Sequence, residues 1–163
     1  MKSLTALFAI VMLVSACSSS ESSSTPQFSQ APGFALPGMD GKTVDFKQYK
    51  GKLVLVDFWA TWCPPCRRSI PHLAELHKKY SNRGFEVVGI SLDQTGRESV
   101  ANFAREYAIP YTILMGSQAV AQNWDIGSGI PVAILVNREG AVVEKIVGYK
   151  DANFWEQKIA KYL

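Results

Sequence analysis

Cys63 and Cys66 are the chain's most reactive pairing, two thiols three residues apart at the end of LVDFWATWCPPC, residues 55–66. Cysteines this close can grip a metal, hold a haem, staple a loop or carry electrons. Haem attachment needs a histidine directly after the second cysteine, and Arg67 stands there. Zinc needs about four ligands, and the only histidines are His72 and His77. On a helix running from Cys66, His72 lies about 240° around the axis and His77 roughly 16 Å along it. Both are expected on the surface or at its boundary, and neither a metal nor any other cofactor is assigned. A static staple gains little, because closing so short a loop removes little entropy from the unfolded chain. Redox exchange is the chemistry that remains.

The local electrostatics favour it. Cys63 follows an apolar run and opens a helical one, so it stands where free N–H groups and the helix dipole favour an anion. Thiols in C-x-x-C settings have pKa values of roughly 3.5–7.5 against about 8.5 for a free one, which turns a few per cent of thiolate at pH 7 into a large fraction. Cys66 lies one turn further in, aligned with Ile70 and Leu73, and should wait shielded for a mixed disulfide. Pro64 and Pro65 suit a first helical turn, where a missing N–H is harmless.

The elements that must position this pair are legible as hydrophobic periods. Residues 52–59 form a nearly continuous apolar run, as in a central strand covered on both faces. Ile70, Leu73, Leu76 and Tyr80 recur at helical spacing, and residues 85–92 form a second buried strand, making a parallel strand–helix–strand unit. TGRE at 95–98 has capping-box spacing, followed by the stripe Val100, Phe103, Ala104 and Tyr107. Further along come a short strand at 111–114, a short helix at 117–124, and strands at 132–136 and 142–147 around the turn NREG. Asp151 can cap a last helix carrying Trp155, Ile159 and Tyr162, and Asp40-Gly41 can turn an N-terminal hairpin. The sum is an α/β fold, a mixed sheet with helices on both faces.

The rest of the chain sets the context. Its 163 residues, 47% hydrophobic, suit one globular domain. The net charge of +3 is spread thinly, with no basic run, so nucleic acid is not an expected partner. Lys2 and the apolar residues 4–14 read as a signal sequence, since such a helix spans roughly 16 Å, about half a bilayer core. The expected division is a lipoprotein signal peptide at 1–16, a lipidated Cys17 with a serine-rich tether at 17–30, and the folded domain at 31–163. Cys17 closes the motif VSAC, which resembles the bacterial lipobox.

DFWATWCPPC resembles thioredoxin, and residues 31–76 are similar to the membrane-tethered TlpA/ResA/CcmG branch of that superfamily. The likeness extends from Ala31 to Leu163 and implies a thioredoxin-like fold. Trp59, Trp62, Cys63, Cys66 and the helix proline Pro71 match the motif. GIP at 129–131 matches the loop whose proline is cis and faces the disulfide, so Ile130 and Pro131 are implied substrate contacts together with Trp62 and Gly148. Asp57 fills the place of a buried acid that thioredoxin carries six residues before its first cysteine, which implies proton transfer. Many tethered relatives instead place a glutamate three residues after the second cysteine, where this chain has Ser69. The lysine that thioredoxin pairs with its acid is missing, since the aligned strand reads VVGISLD, and Val132 follows Pro131 where threonine is usual.

The resemblance implies an extracytoplasmic thiol–disulfide oxidoreductase that reduces protein disulfides, for example in cytochrome c maturation or copper-site assembly. It would act as a monomer in the cell envelope, fed by a membrane electron donor of the DsbD/CcdA kind. The alternatives are a thiol peroxidase and a metal-handling thiol module. The peroxiredoxin pattern would need proline at 56 and threonine at 60, where Val56 and Ala60 stand.

Overall fold

The computed structural model describes residues 29–163. The expected signal peptide, Cys17 and most of the tether lie outside the described residues. Ser29 and Gln30, assigned to the tether, already run beside the sheet: the Ser29 carbonyl accepts from Val142 N at 2.9 Å, and Gln30 bridges Ala141. These two residues of the expected tether therefore pair with the sheet.

An antiparallel pair, β1 (Ala35–Pro37) and β2 (Thr43–Asp45), comes first, and Gly41 at φ +84° allows its turn. The main sheet has five strands: β3 (Leu53–Trp59), β4 (Phe85–Ser91), β5 (Thr112–Met115), β6 (Val132–Val136) and β7 (Val142–Val147), in the order β5-β4-β3-β6-β7. β3, β4 and β5 are parallel, and β6 and β7 form an antiparallel pair that joins them with β6 antiparallel to β3. All seven residues of β3 are buried, which is why its sequence does not alternate. Leu53, Leu55 and Trp59 face one core cluster, and Val54, Val56 and Phe58 face the other. Strand alternation puts Asp57 on the first of these faces.

Helices α1 (Pro64–Tyr80), α2 (Arg97–Glu106) and α4 (Ala152–Tyr162) cover that face, through Ile70, Leu73, Leu76, Val100, Trp155 and Ile159. The opposite face is closed by α3 (Gln118–Asn123) and the β1–β2 hairpin, with Phe34, Phe46 and Trp124 in mutual ring contact. Truncating a buried aliphatic such as Leu73 costs about 2–5 kcal/mol. Asp151 caps α4 as expected, and Ser117, expected within the short helix, is the cap of α3.

One cap differs from expectation. TGRE does not form a capping box, because α2 takes Gly96 as its N-cap at φ +92°, with no side-chain bond to the helix. This backbone, natural only to glycine, starts the helix one residue later, so Glu98 falls short of the capping-box position.

Candidate active site

The strand–helix junction presents the two cysteines. Cys63 is the N-cap of α1, Pro64 and Pro65 begin it, and Cys66 closes its first turn. Their sulfurs form a disulfide with an S–S distance of 2.03 Å. The Cys66 backbone N–H points at the Cys63 sulfur, 3.3 Å away, so the helix terminus does aim a donor at this atom. Both cysteines are buried, Cys66 completely and Cys63 to within 3%. Beside them Trp62 is 65% exposed.

The loop before β6 faces the pair. The Ile130–Pro131 peptide bond is cis, as the resemblance implies, and the Ile130 carbonyl oxygen lies 3.7 Å from the Cys63 sulfur. Gly148 donates from its N–H to the Pro131 carbonyl at 2.8 Å. Its φ of +83° is a conformation that a side chain would strain, which accounts for glycine there. Trp62 and Ile130 also border a groove that runs past Gln94, Ser117, Gln118 and Ser128.

Asp57 lies beneath this surface, 2% exposed and without a hydrogen bond among the described residues. Burial raises its pKa from 3.8 to about 7. Its register partner on β4 is Gly89, so no lysine approaches from that strand. Tyr111, at the edge of the same buried region, is pushed well above its usual value by burial and by the Asp57 charge. A cavity of about 10 Å³, room for roughly one water, is lined by Asp57, Ser69, Pro131, Gly148, Lys150 and Trp155. Ser69 turns its hydroxyl back to the Pro65 carbonyl, 3.3 Å, so it adds no acid.

The fold also recruits residues without a signal in the sequence. Asp93, buried after β4, accepts from Thr61 N at 2.9 Å, from the Thr61 hydroxyl at 2.5 Å and from the Ser91 hydroxyl at 2.7 Å. These bonds fasten the turn before Cys63 to the end of β4. Lys150 reaches the Asp57 cavity from the loop between β7 and α4. The histidines sit at the boundary: His72 Nε2 is 2.9 Å from the Tyr149 hydroxyl, and His77 is 3.9 Å from Glu86.

Residues 29–145 match the AhpC/TSA family. The chain belongs to that family. It is 36% identical over 121 residues to a thiol-disulfide oxidoreductase ResA of Bacillus cereus, covering 73% of this chain and 68% of the relative. With ResA of Bacillus subtilis the identity is 32% over 121 residues, 74% of this chain and 66% of the relative. A solved thiol:disulfide interchange protein of the thioredoxin family from Chlorobium tepidum superposes with a TM-score of 0.77 at 29% identity, over 85% of this chain and 98% of that one. This redoxin is thus a ResA-like thiol–disulfide oxidoreductase with a thioredoxin-like fold.

Proposed function

We propose that this redoxin works outside the cytoplasm as a reductant of protein disulfides, with Cys63 as nucleophile, Cys66 as resolving thiol and Asp57 as proton acceptor. The observation that carries the proposal is the Cys63–Cys66 disulfide at the α1 N-terminus, backed by the unpartnered Asp57 carboxyl. In the reduced protein the Cys63 thiolate attacks one client sulfur. A Cys63–client bond forms as the client S–S bond breaks, and the other client sulfur leaves as a thiolate. Asp57 takes the Cys66 proton, and the Cys66 sulfur then attacks Cys63, expelling the second client sulfur. Both client sulfurs end as thiols after protonation, the protein ends in its disulfide form, and two electrons have passed to the client. A membrane donor of the DsbD/CcdA kind returns them.

Trp62, Ile130, Pro131 and Gly148 would hold the client. Trp62 and Val147 are the large exposed apolar side chains among the described residues, and Val147 pairs in register with Val132, next to Pro131. Such apolar surface beside a buried disulfide fits a polypeptide rather than a small oxidant. The expected clients are proteins of cytochrome c maturation or copper-site assembly. In an assay pair, the reduced protein should reduce insulin at least about tenfold faster than it consumes hydrogen peroxide. The reverse order would favour a thiol peroxidase.

The proposed location is the cell envelope, through a lipid on Cys17. No helix of the described residues is long and apolar enough to cross a membrane. Cys17→Ser should move most of the protein out of the membrane fraction on cell fractionation. Unchanged membrane association would remove the lipid anchor from the proposal.

A further inference from the structure

Arg67 and Arg68 follow Cys66 on α1 and Lys150 lines the Asp57 cavity, and none of the three has an ion-pair partner among the described residues. Arg67 directly follows Cys66, and its N–H bonds the Cys63 carbonyl at 3.1 Å, so its side chain leaves α1 within a turn of the disulfide. Neutral groups hold its guanidinium. Nε donates to the Tyr107 hydroxyl at 2.9 Å, and Cζ stands 5.7 Å from the Phe103 ring centre and 5.3 Å from that of Tyr107. These two rings are stacked, with centres 4.1 Å apart. Arg68 turns the other way and lies 5.1 Å over the Tyr149 ring, whose hydroxyl is bonded to His72. Lys150, also a wall of the Asp57 cavity, stands 5.8 Å from the Phe154 ring centre.

The ion pairs among the described residues involve other cations: Lys42, Lys52, His77, Lys79, Lys145 and Lys158. The acids near the rim are engaged, distant or buried, and Asp57, 2% exposed, shares its cavity with Lys150 without forming an ion pair to it. Asp151 accepts from Phe154 N at 2.9 Å as the α4 cap. Glu75 is two turns, about 10 Å, further along α1 than Arg68. Asp93, on the groove side, is buried in its bonds to Thr61 and Ser91.

An aromatic face or a phenol orients a guanidinium without neutralising it, whereas a carboxylate would cancel its field. The side chains are thus fixed at little entropy cost while their charge stays available to a partner. The groove on the other side of Trp62 offers Gln94, Ser117, Gln118 and Ser128, which are neutral. The surface around the disulfide is therefore lopsided, cationic toward α1 and α4, whereas toward α3 the groove is polar with the buried Asp93 in its wall and Asp125 is paired with Lys145.

We propose that Arg67, Arg68 and Lys150 form a cationic rim that selects client polypeptides carrying acidic residues beside the disulfide. The proposal rests on the protein-reductase reading above and adds the chemistry of its client. Charge complementarity of this kind acts mainly on the rate of encounter and weakens as salt screens it.

The test uses the reduced full chain and two disulfide peptides of equal length, flanked by glutamates in one and lysines in the other. Hydroxyethyl disulfide serves as an uncharged reference. The acidic peptide should be reduced about five- to twentyfold faster at low ionic strength, with the ratio falling toward one at about 0.5 M salt. The paired substitutions Arg67→Glu and Arg68→Glu should abolish or invert that preference. Equal rates for the two peptides overturn the proposal, as does a preference that survives charge reversal. Equal rates together with salt-sensitive sedimentation on phosphatidylglycerol vesicles would overturn it in favour of a lipid surface. Failure to reduce even hydroxyethyl disulfide would instead strike the reductase reading, so the two failures are distinguishable.

Discussion

Cys66→Ala should accumulate covalent complexes with client proteins, and Cys63→Ala almost none. The asymmetry follows from the helix terminus. The Cys66 N–H is aimed at the Cys63 sulfur, so negative charge is stabilised there once the disulfide opens. Cys66 is fully buried in the first turn of α1 and reaches only a sulfur already bonded to Cys63. With Cys66 removed, the mixed disulfide has no resolving thiol and persists until external reductant arrives. Either substitution should lower insulin turnover by about three orders of magnitude or more, as expected when a covalent nucleophile or its partner is deleted. Non-reducing gels of the two variants after client exposure give the readout. Equal trapping by both would mean that the wrong cysteine has been assigned the attack.

Asp57→Asn should slow resolution and stabilise the fold together. Above about pH 7 the carboxyl is mostly ionised and can take the Cys66 proton, so resolution should speed up as pH rises through 7. The asparagine variant should lose that rise and resolve about a hundredfold more slowly at pH 8. Stability moves in the opposite direction. The folded protein keeps the Asp57 proton up to about pH 7, the unfolded chain only up to 3.8. Between these values the folded state holds the extra proton, so stability falls as pH rises, by at most roughly 4 kcal/mol for about three pH units. Removing the charge should therefore raise the melting temperature of the oxidised protein by about 10 °C at pH 8 and change it little at pH 4. A melting difference independent of pH would show that burial of the Asp57 charge is not what strains this fold.

Much of this site was legible from local pattern. The nearly continuous apolar run of β3 and the proline pair after Cys63 occupy the places that their pattern implies, and the acid at 57 is buried as the resemblance to thioredoxin implies. The hairpin at NREG forms as expected, with the Asn137 side chain accepting from Glu139 N and Ala141 N. The α2 cap was misread because a side-chain motif was weighed without the backbone freedom of Gly96. Asp93 and Lys150 were invisible for a different reason. Asp93 lies 32 residues from Thr61, and only the parallel pairing of β3 with β4 brings the ends of these strands together. Lys150 joins the Asp57 cavity through the turn after β7, where no spacing rule connects the two positions.

The direction of electron flow is the central claim, and it depends on how stable the Cys63 thiolate is. Strong oxidants of this chemistry draw their power from a highly stabilised thiolate in the reduced form. Here the two residues between the cysteines are prolines, which add no positive charge, and the buried Asp57 carboxylate opposes nearby negative charge and so offsets the pull of Arg67, Arg68 and Lys150 on the Cys63 thiolate. Equilibration of the purified protein with defined glutathione ratios measures the balance directly. A midpoint potential between about −200 and −270 mV, the range of glutaredoxins and thioredoxin, is expected. A value more oxidising than about −180 mV would contradict the assignment as a reductant.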